Sequence, residues 1–158
     1  MSTTEAPTVL TLVRHFDAPP ELVFRAWTEP EHLGWFFNPG MTPNGPPTVD
    51  LRVGGAWRQH MVVNAETEYM TGGIYREIVP GRKLVFAWGA EGGWPPLDPA
   101  RLDEAPEATI LFEPDGEGTR MTFRFVVPAE FAEALPRPLM EAGWTMTIDR
   151  LVADLAAG

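Results

Sequence analysis

The chain lacks cysteine and contains one serine and one lysine among its 158 residues. Without cysteine there is no disulfide, no thiolate nucleophile and no cysteine metal site. The single serine, Ser2, lies in the first residues of the sequence, so a Ser-His-Asp hydrolase lacks its nucleophile. The single lysine, Lys83, follows the turn at 80–82, where a solvated amine stays protonated and is a poor Schiff-base nucleophile. We therefore predict no catalytic residue of these classes.

Positive charge is also scarce, because 12 Lys and Arg stand against 22 Asp and Glu, giving a formal net charge of −10. An acidic chain without a basic cluster is repelled by phosphate backbones, which argues against nucleic-acid binding. No apolar run approaches the roughly 18 residues of a membrane span, and the first residues resemble no signal peptide. These features and the missing cysteine lead us to expect a cytoplasmic protein.

Histidine shows no pattern typical of a metal site. His15, His32 and His60 lie in three separate segments, without His-x-x-His or carboxylate spacing. His60 is two residues from Arg58 on the polar side of a predicted strand, where a solvated pair is a simpler interpretation than acid–base chemistry. We therefore expect neither a metal nor a cofactor.

The length favours a single domain over 1–158, of which residues 1–8 are expected to be flexible. A strand over 9–17 is followed by a helix over 21–28 and a second short helix from Pro30 to about Phe36. A Pro/Gly-rich loop follows over 38–47. The apolar period then becomes two, which predicts further strands near 48–52, 55–63, 68–78, 82–89, 107–114 and 118–127.

The last segment predicts a long helix after Pro136 and Pro138, both of which disfavour an earlier start. Its apolar residues fall at steps of four, four, three and four: Met140, Trp144, Ile148, Leu151 and Leu155. Gly143 inside this helix costs about 1 kcal/mol relative to alanine, which indicates either a close approach by another group or a local bend. Since one face of the predicted strands is apolar, we expect the helix to cover a curved antiparallel sheet in an α+β fold.

Six stretches have counterparts in a known superfamily and occur in the same order there. They are Arg14 to Thr28, Pro30 to Leu33, Trp35 to Thr42, Asp50 to Arg58, Gly73 to Phe86 and Gly143 to Leu151. Together with the element order they resemble the START-like superfamily (SRPBCC), whose helix-grip fold is shared with the birch pollen allergen. Within it, the chain is most similar to the family named for activators of the heat-shock protein (Hsp) ATPase. The segment 89–107 is longer and richer in proline than is usual in the family, and we expect no counterpart of the additional N-terminal domain that the eukaryotic activators carry.

The resemblance implies two short helices after the first strand, a sheet wrapped around the long helix, and an internal cavity between them. Such cavities are mostly apolar with a few polar groups. Ten residues are candidates to line it: Trp57, Met61, Phe86, Trp88, Trp94, Phe112, Phe123, Phe125, Met140 and Trp144. Ordinary core packing is the simpler interpretation for any single ring. The segment 89–107, with Trp94, is expected to be either a lid or a plain surface loop.

The leading interpretation is a protein that binds a small apolar or aromatic ligand without covalent chemistry. A second is a cyclase- or aromatase-like enzyme, for which Glu77, His60, Tyr69 and Tyr75 are the candidate ionisable groups. For Glu77 and Arg76, cross-strand salt bridges are the simpler expectation. A third, implied by the resemblance, is a co-chaperone that stimulates a heat-shock ATPase. Pairing into a homodimer through the exposed sheet face or the Trp94 segment stays open.

Overall fold

The computed structural model describes residues 8–29, 48–64, 67–89, 97–131 and 136–157, without the side chains at 60–64, 67–69, 99, 154 and 156–157. The predicted second short helix, the 38–47 loop and Trp94 lie outside these residues. The two α-helices are α1 (Pro20–Thr28) and α2 (Arg137–Ala157). The strands are β1 (Thr8–Phe16), β2 (Thr48–Val49), β3 (Ala56–Asn64), β4 (Thr67–Val79), β5 (Lys83–Trp88), β6 (Glu107–Asp115) and β7 (Gly118–Val127).

The strands form a single antiparallel sheet in the order β1-β7-β6-β5-β4-β3-β2. β2 to β7 run as a meander, and β1 closes the other side by pairing with β7 over its whole length. The predicted strands are confirmed to within one residue at each end, except that β2 stops at Val49 and not at 52. The residues that were predicted to continue β2 lead into a turn, in which the Gly55 amide donates to the Arg52 carbonyl at 2.8 Å.

Each of the two α-helices has a proline in its first turn and buries one face. Pro20 lies in the first turn of α1 with Glu21, where a missing N–H costs nothing and a carboxylate meets the positive helix end. In α2, Pro138 falls in the first turn, and the predicted stripe Met140, Trp144, Ile148 and Leu151 is buried. Each such buried side chain contributes roughly 1.5–3 kcal/mol. The predicted long C-terminal helix is therefore confirmed.

The sheet has an inner face that meets the helices and an opposite outer face. α1 lies mainly against β6 and β7, and α2 mainly against β1. On the inner face, Gly73 of β4 lets two rings from the flanking strands meet, since a Cβ there would lie 2.7 Å from both Trp57 Nε1 and Phe86 Cδ1. Those two rings pack edge to face with centroids 5.5 Å apart. The result is the α+β helix-grip architecture that the sequence predicts.

Candidate ligand-binding face

Eight of the ten predicted lining residues lie on the inner face or on the buried side of α2, and all eight are buried. They are Trp57, Phe86, Trp88, Phe112, Phe123, Phe125, Met140 and Trp144. Met61 belongs to β3, but its side chain, like Trp94, lies outside the described residues. Period-two alternation placed the strand residues on a common face, and helical spacing placed Met140 and Trp144 on one side of α2. The fold brings them into one cluster.

Trp144 fills the space between α2 and the centre of the sheet. Its ring centroid lies 4.8 Å from that of Phe123, 5.3 Å from Phe125 and 5.5 Å from Trp88. On the α1 side, Trp27 stacks on Phe123 at 6.0 Å. These are ordinary contact distances for aromatic pairs. Beneath the helices, therefore, the described rings pack as a core.

Polar side chains occur on the β3–β4 part of the inner face. Gln59 pairs with Thr71 across the strands, and both are buried, as is Tyr75 further along β4. The hydroxyl groups of Thr71 and Tyr75 have no hydrogen-bond partner among the described residues. Two other buried threonines are satisfied, because Thr28 donates to the Phe24 carbonyl at 3.0 Å and Thr119 to the Ala18 carbonyl at 2.7 Å. The inner face thus carries two hydroxyl groups that no side chain or backbone group of the described residues satisfies.

The Tyr75 phenol stays protonated at neutral pH. Burial, and to a lesser degree the negative charge of Asp50, raises the pKa of Tyr75 well above its ordinary value. A protonated phenol donates a hydrogen bond but is no general base. Tyr75 can therefore donate a hydrogen bond to an acceptor atom in an apolar environment. It cannot serve as the proton acceptor of a catalysed reaction.

Glu77, another candidate for the enzyme interpretation, lies outside the inner face. Its register partner is Val85, and its carboxylate pairs with the Lys83 ammonium at 3.2 Å, with both side chains partly exposed. Arg76 likewise pairs with Asp103 at 2.6 Å and with Glu107 at 3.0 Å. The salt-bridge expectation for Glu77 and Arg76 is therefore confirmed. The side chains of His60 and Tyr69 lie outside the described residues.

The described part of the 89–107 segment covers the outer face. Leu97 and Ala105 pack on Ala87 with Ile74 and Leu102, on the side of the sheet opposite α2. Residues Pro99–Glu104 form a 3-10 helix that the sequence analysis missed. The sequence does contain signals for the start of this helix, an aspartate at the N-cap position followed by a proline in the first turn. In the structure the Asp98 side chain accepts a hydrogen bond from the Ala100 amide at 2.9 Å. This part of the segment gives no support to a lid over the inner face.

A groove of about 830 Å³ runs along the other side of α2, away from the buried stripe. Among the described residues its lining comes from α2 alone and includes Pro138, Ala142, Met146 and Arg150. Elsewhere in the described ranges, no group of three or more His, Cys, Asp or Glu side chains could hold a metal ion. No helix of the described part is long and apolar enough to cross a membrane.

The curved sheet, the long C-terminal helix and the apolar inner face together define a helix-grip domain of the START-like kind. The family model described as Activator of Hsp90 ATPase homolog 1-like protein matches residues 17–156. The chain belongs to this family. A search of curated proteins gives no match.

Solved structures share this fold over nearly the whole chain. A protein of Chromobacterium violaceum is 27% identical, with a TM-score of 0.72 over 93% of this chain and 96% of that chain. A protein of Nitrosomonas europaea is 26% identical, with a TM-score of 0.75 over 94% of each chain. An AHSA1-like protein of Aeromonas hydrophila, 19% identical, has a TM-score of 0.69 over 95% of this chain and 93% of that chain.

Proposed function

We propose that the protein binds a small apolar or aromatic molecule on the inner face of the sheet, without forming a covalent bond to it. The observation that carries this proposal is the continuous aromatic inner face, which extends from Trp57 in β3 through Phe86 and Trp88 to Trp144 in α2. The helices lie mainly against β1, β6 and β7, so the aromatic face reaches beyond them. Apolar walls with few polar groups are typical of small-molecule sites.

Binding is favoured over catalysis because the described acid–base candidates are poorly placed for a reaction. Glu77 is paired with Lys83 on the outer face, and Tyr75 is held in its protonated form. A general base must reach the proton that it removes and must have a pKa near the working pH. Neither group meets both conditions. Tyr75 is better suited to orient a ligand than to transform one.

Thermal unfolding in the presence of naphthalene and 2-acetonaphthone tests the proposal. A ligand at about 100 times its Kd stabilises the folded state by about 2.7 kcal/mol, or roughly 5–10 °C in a chain of this size. We expect the wild-type melting temperature to rise with the concentration of either probe. No shift with either compound would contradict the proposal.

Alanine variants test whether the probes bind on the inner face. Trp88→Ala is expected to lose affinity for the probes as well as stability, because its ring belongs to the inner-face cluster and lies beside Gly73 of β4. Phe123→Ala, in the packed centre of the cluster, is expected to lose mainly stability. Met146→Ala is the matched control, since Met146 is 54% exposed on α2. If the control weakened binding as much as Trp88→Ala, the site would lie elsewhere.

The co-chaperone alternative rests on the family's description. It is tested by adding the purified protein, at saturating concentration, to an Hsp90 ATPase assay. Stimulation of ATP hydrolysis, without any effect of the aromatic probes on melting, would favour a co-chaperone over a ligand-binding protein.

A further inference from the structure

Two hydroxyl groups on the inner face are buried without a hydrogen-bond partner in the described part of the chain. Tyr75 is 1% exposed and Thr71 is 2% exposed, and both belong to β4. Gly73 lies between them, with the Trp57 indole and the Phe86 ring packed above it. Thr71 and Tyr75 therefore lie on the same strand, on either side of the position at which the two rings meet.

Leaving a buried hydroxyl unpaired is costly, because the group gives up its hydrogen bonds to water and receives none in return. Phenylalanine at 75 or valine at 71 would fill nearly the same volume without that penalty. Buried polar groups are nearly always paired, and each exception calls for a functional or structural explanation. A bound molecule that supplies the missing partner accounts for both hydroxyls at once.

We propose that the β3–β4 part of the inner face binds a neutral aromatic molecule through a carbonyl or ether oxygen, which accepts a hydrogen bond from the Tyr75 hydroxyl. This inference rests on the proposed function and specifies the ligand. Trp57 and Phe86 supply the apolar surface beside the aromatic body, at an edge-to-face centroid distance of 5.5 Å from each other. Thr71 supplies a second hydroxyl, which both donates and accepts.

The surroundings of Tyr75 favour a neutral ligand over an anion. Burial disfavours a charged group there, and the negative charge of Asp50, which is itself paired with Arg52 at 2.8 Å, adds a smaller contribution of the same sign. A carboxylate or phenolate at the same position would meet the same penalty. The Tyr75 O–H is available over the whole physiological pH range, because the raised pKa keeps the phenol protonated. A ketone oxygen is the simplest acceptor that satisfies these conditions.

Comparison of naphthalene with 2-acetonaphthone tests the inference, because the two share an aromatic body and differ in a ketone. Calorimetric titration of the full-length wild-type protein should show roughly tenfold tighter binding of the ketone, as expected for one net hydrogen bond. Tyr75→Phe should abolish this preference and leave naphthalene binding unchanged. Thr122→Val, on the outer face, is the control that changes neither affinity.

The outcomes separate this inference from the proposed function. Equal affinities of both compounds for the wild type would overturn the inference, with water as the partner of Tyr75, and leave ligand binding intact. A ketone preference that survives Tyr75→Phe would also overturn it. If neither compound binds, both proposals fail. Tyr75→Phe keeps the ring that packs on Phe86 at 6.5 Å, so it should fold, and its melting temperature verifies this.

Discussion

Two glycines show how differently the same residue can be constrained in this fold. Gly73 is enclosed by the Trp57 and Phe86 rings and by the Ala87 carbonyl oxygen, which would lie 2.8 Å from an added Cβ. Gly143, within α2, has no atom of the described residues within 4 Å of an added Cβ. The close approach that the sequence suggested for Gly143 is therefore not found there.

The two alanine variants should consequently have opposite effects. Gly73→Ala should lower the free energy of unfolding by about 1–3 kcal/mol or more, because two rings must move apart. Gly143→Ala should raise it by about 0.5–1 kcal/mol, because alanine restricts the unfolded chain and favours the helix. Urea unfolding monitored by circular dichroism measures both values. Equal effects of the two variants would contradict this packing at Gly73.

The raised pKa of Tyr75 leads us to expect a loss of stability at alkaline pH. Its folded pKa is raised above the ordinary value, so the folded state binds the phenolic proton more tightly than the unfolded state. This contribution to stability is complete below about pH 10, the unfolded pKa, and is lost as the pH rises through the folded pKa. The Tyr75→Phe variant does not lose stability in this way, because phenylalanine has no hydroxyl group to ionise.

We therefore expect the stability of the wild type relative to Tyr75→Phe to decline above about pH 10, by at most about 1.4 kcal/mol per pH unit. Urea unfolding of both proteins between pH 8 and pH 11 measures the difference in their free energies of unfolding on both sides of the unfolded tyrosine pKa of about 10. Parallel stability curves over this range would show that Tyr75 is not buried as a neutral phenol.

At the scale of elements, the attachment of α2 depends on its apolar stripe more than on its charges. Trp144 contacts rings from β5 and β7, whereas the Arg14–Asp149 ion pair between β1 and α2 is largely exposed. Exposed ion pairs contribute about 0–1 kcal/mol. The helix is thus fixed on the sheet mainly by the burial of its aromatic and aliphatic side chains.

Trp144→Ala should reduce the free energy of unfolding by about 3–5 kcal/mol, since it removes the ring that fills the space beneath α2. Met146→Ala should change it by no more than about 0.5 kcal/mol, because Met146 is 54% exposed. Chemical unfolding of both variants provides the comparison. A small effect of Trp144→Ala would mean that α2 is not held by this stripe.

The elements could be predicted from the sequence because their signals are local. The alternation of apolar and polar residues predicted the strands, and the apolar residues at steps of four, four and three from Met140 to Leu151 predicted α2. The 3-10 helix at Pro99–Glu104 was missed because the surrounding Pro and Gly residues indicated a plain loop. Its attachment to the outer face through Leu97 and Ala87 depends on long-range contacts that no local pattern contains.

At the scale of the whole molecule, the sequence predicted the shared face of the aromatic residues but not how completely they pack. Phe123, Phe125 and Trp144 were correctly placed together, yet their mutual contacts fill the centre of the domain. The buried hydroxyls of Thr71 and Tyr75, which have no partner among the residues that the structure describes, could not be foreseen, because burial and pairing are properties of the folded chain. The site that we propose therefore lies toward β3 and β4 and not in the middle of the fold.

Native mass spectrometry of the gently purified protein, mixed with aromatic hydrocarbons and ketones, detects small-molecule binding without any labelled probe. We expect complexes of one protein with one small molecule, which disappear when the chain is denatured. We also expect ketones to be retained in preference to hydrocarbons of the same ring size. Detection of the chain mass alone with every compound would contradict the claim that this domain binds small aromatic molecules.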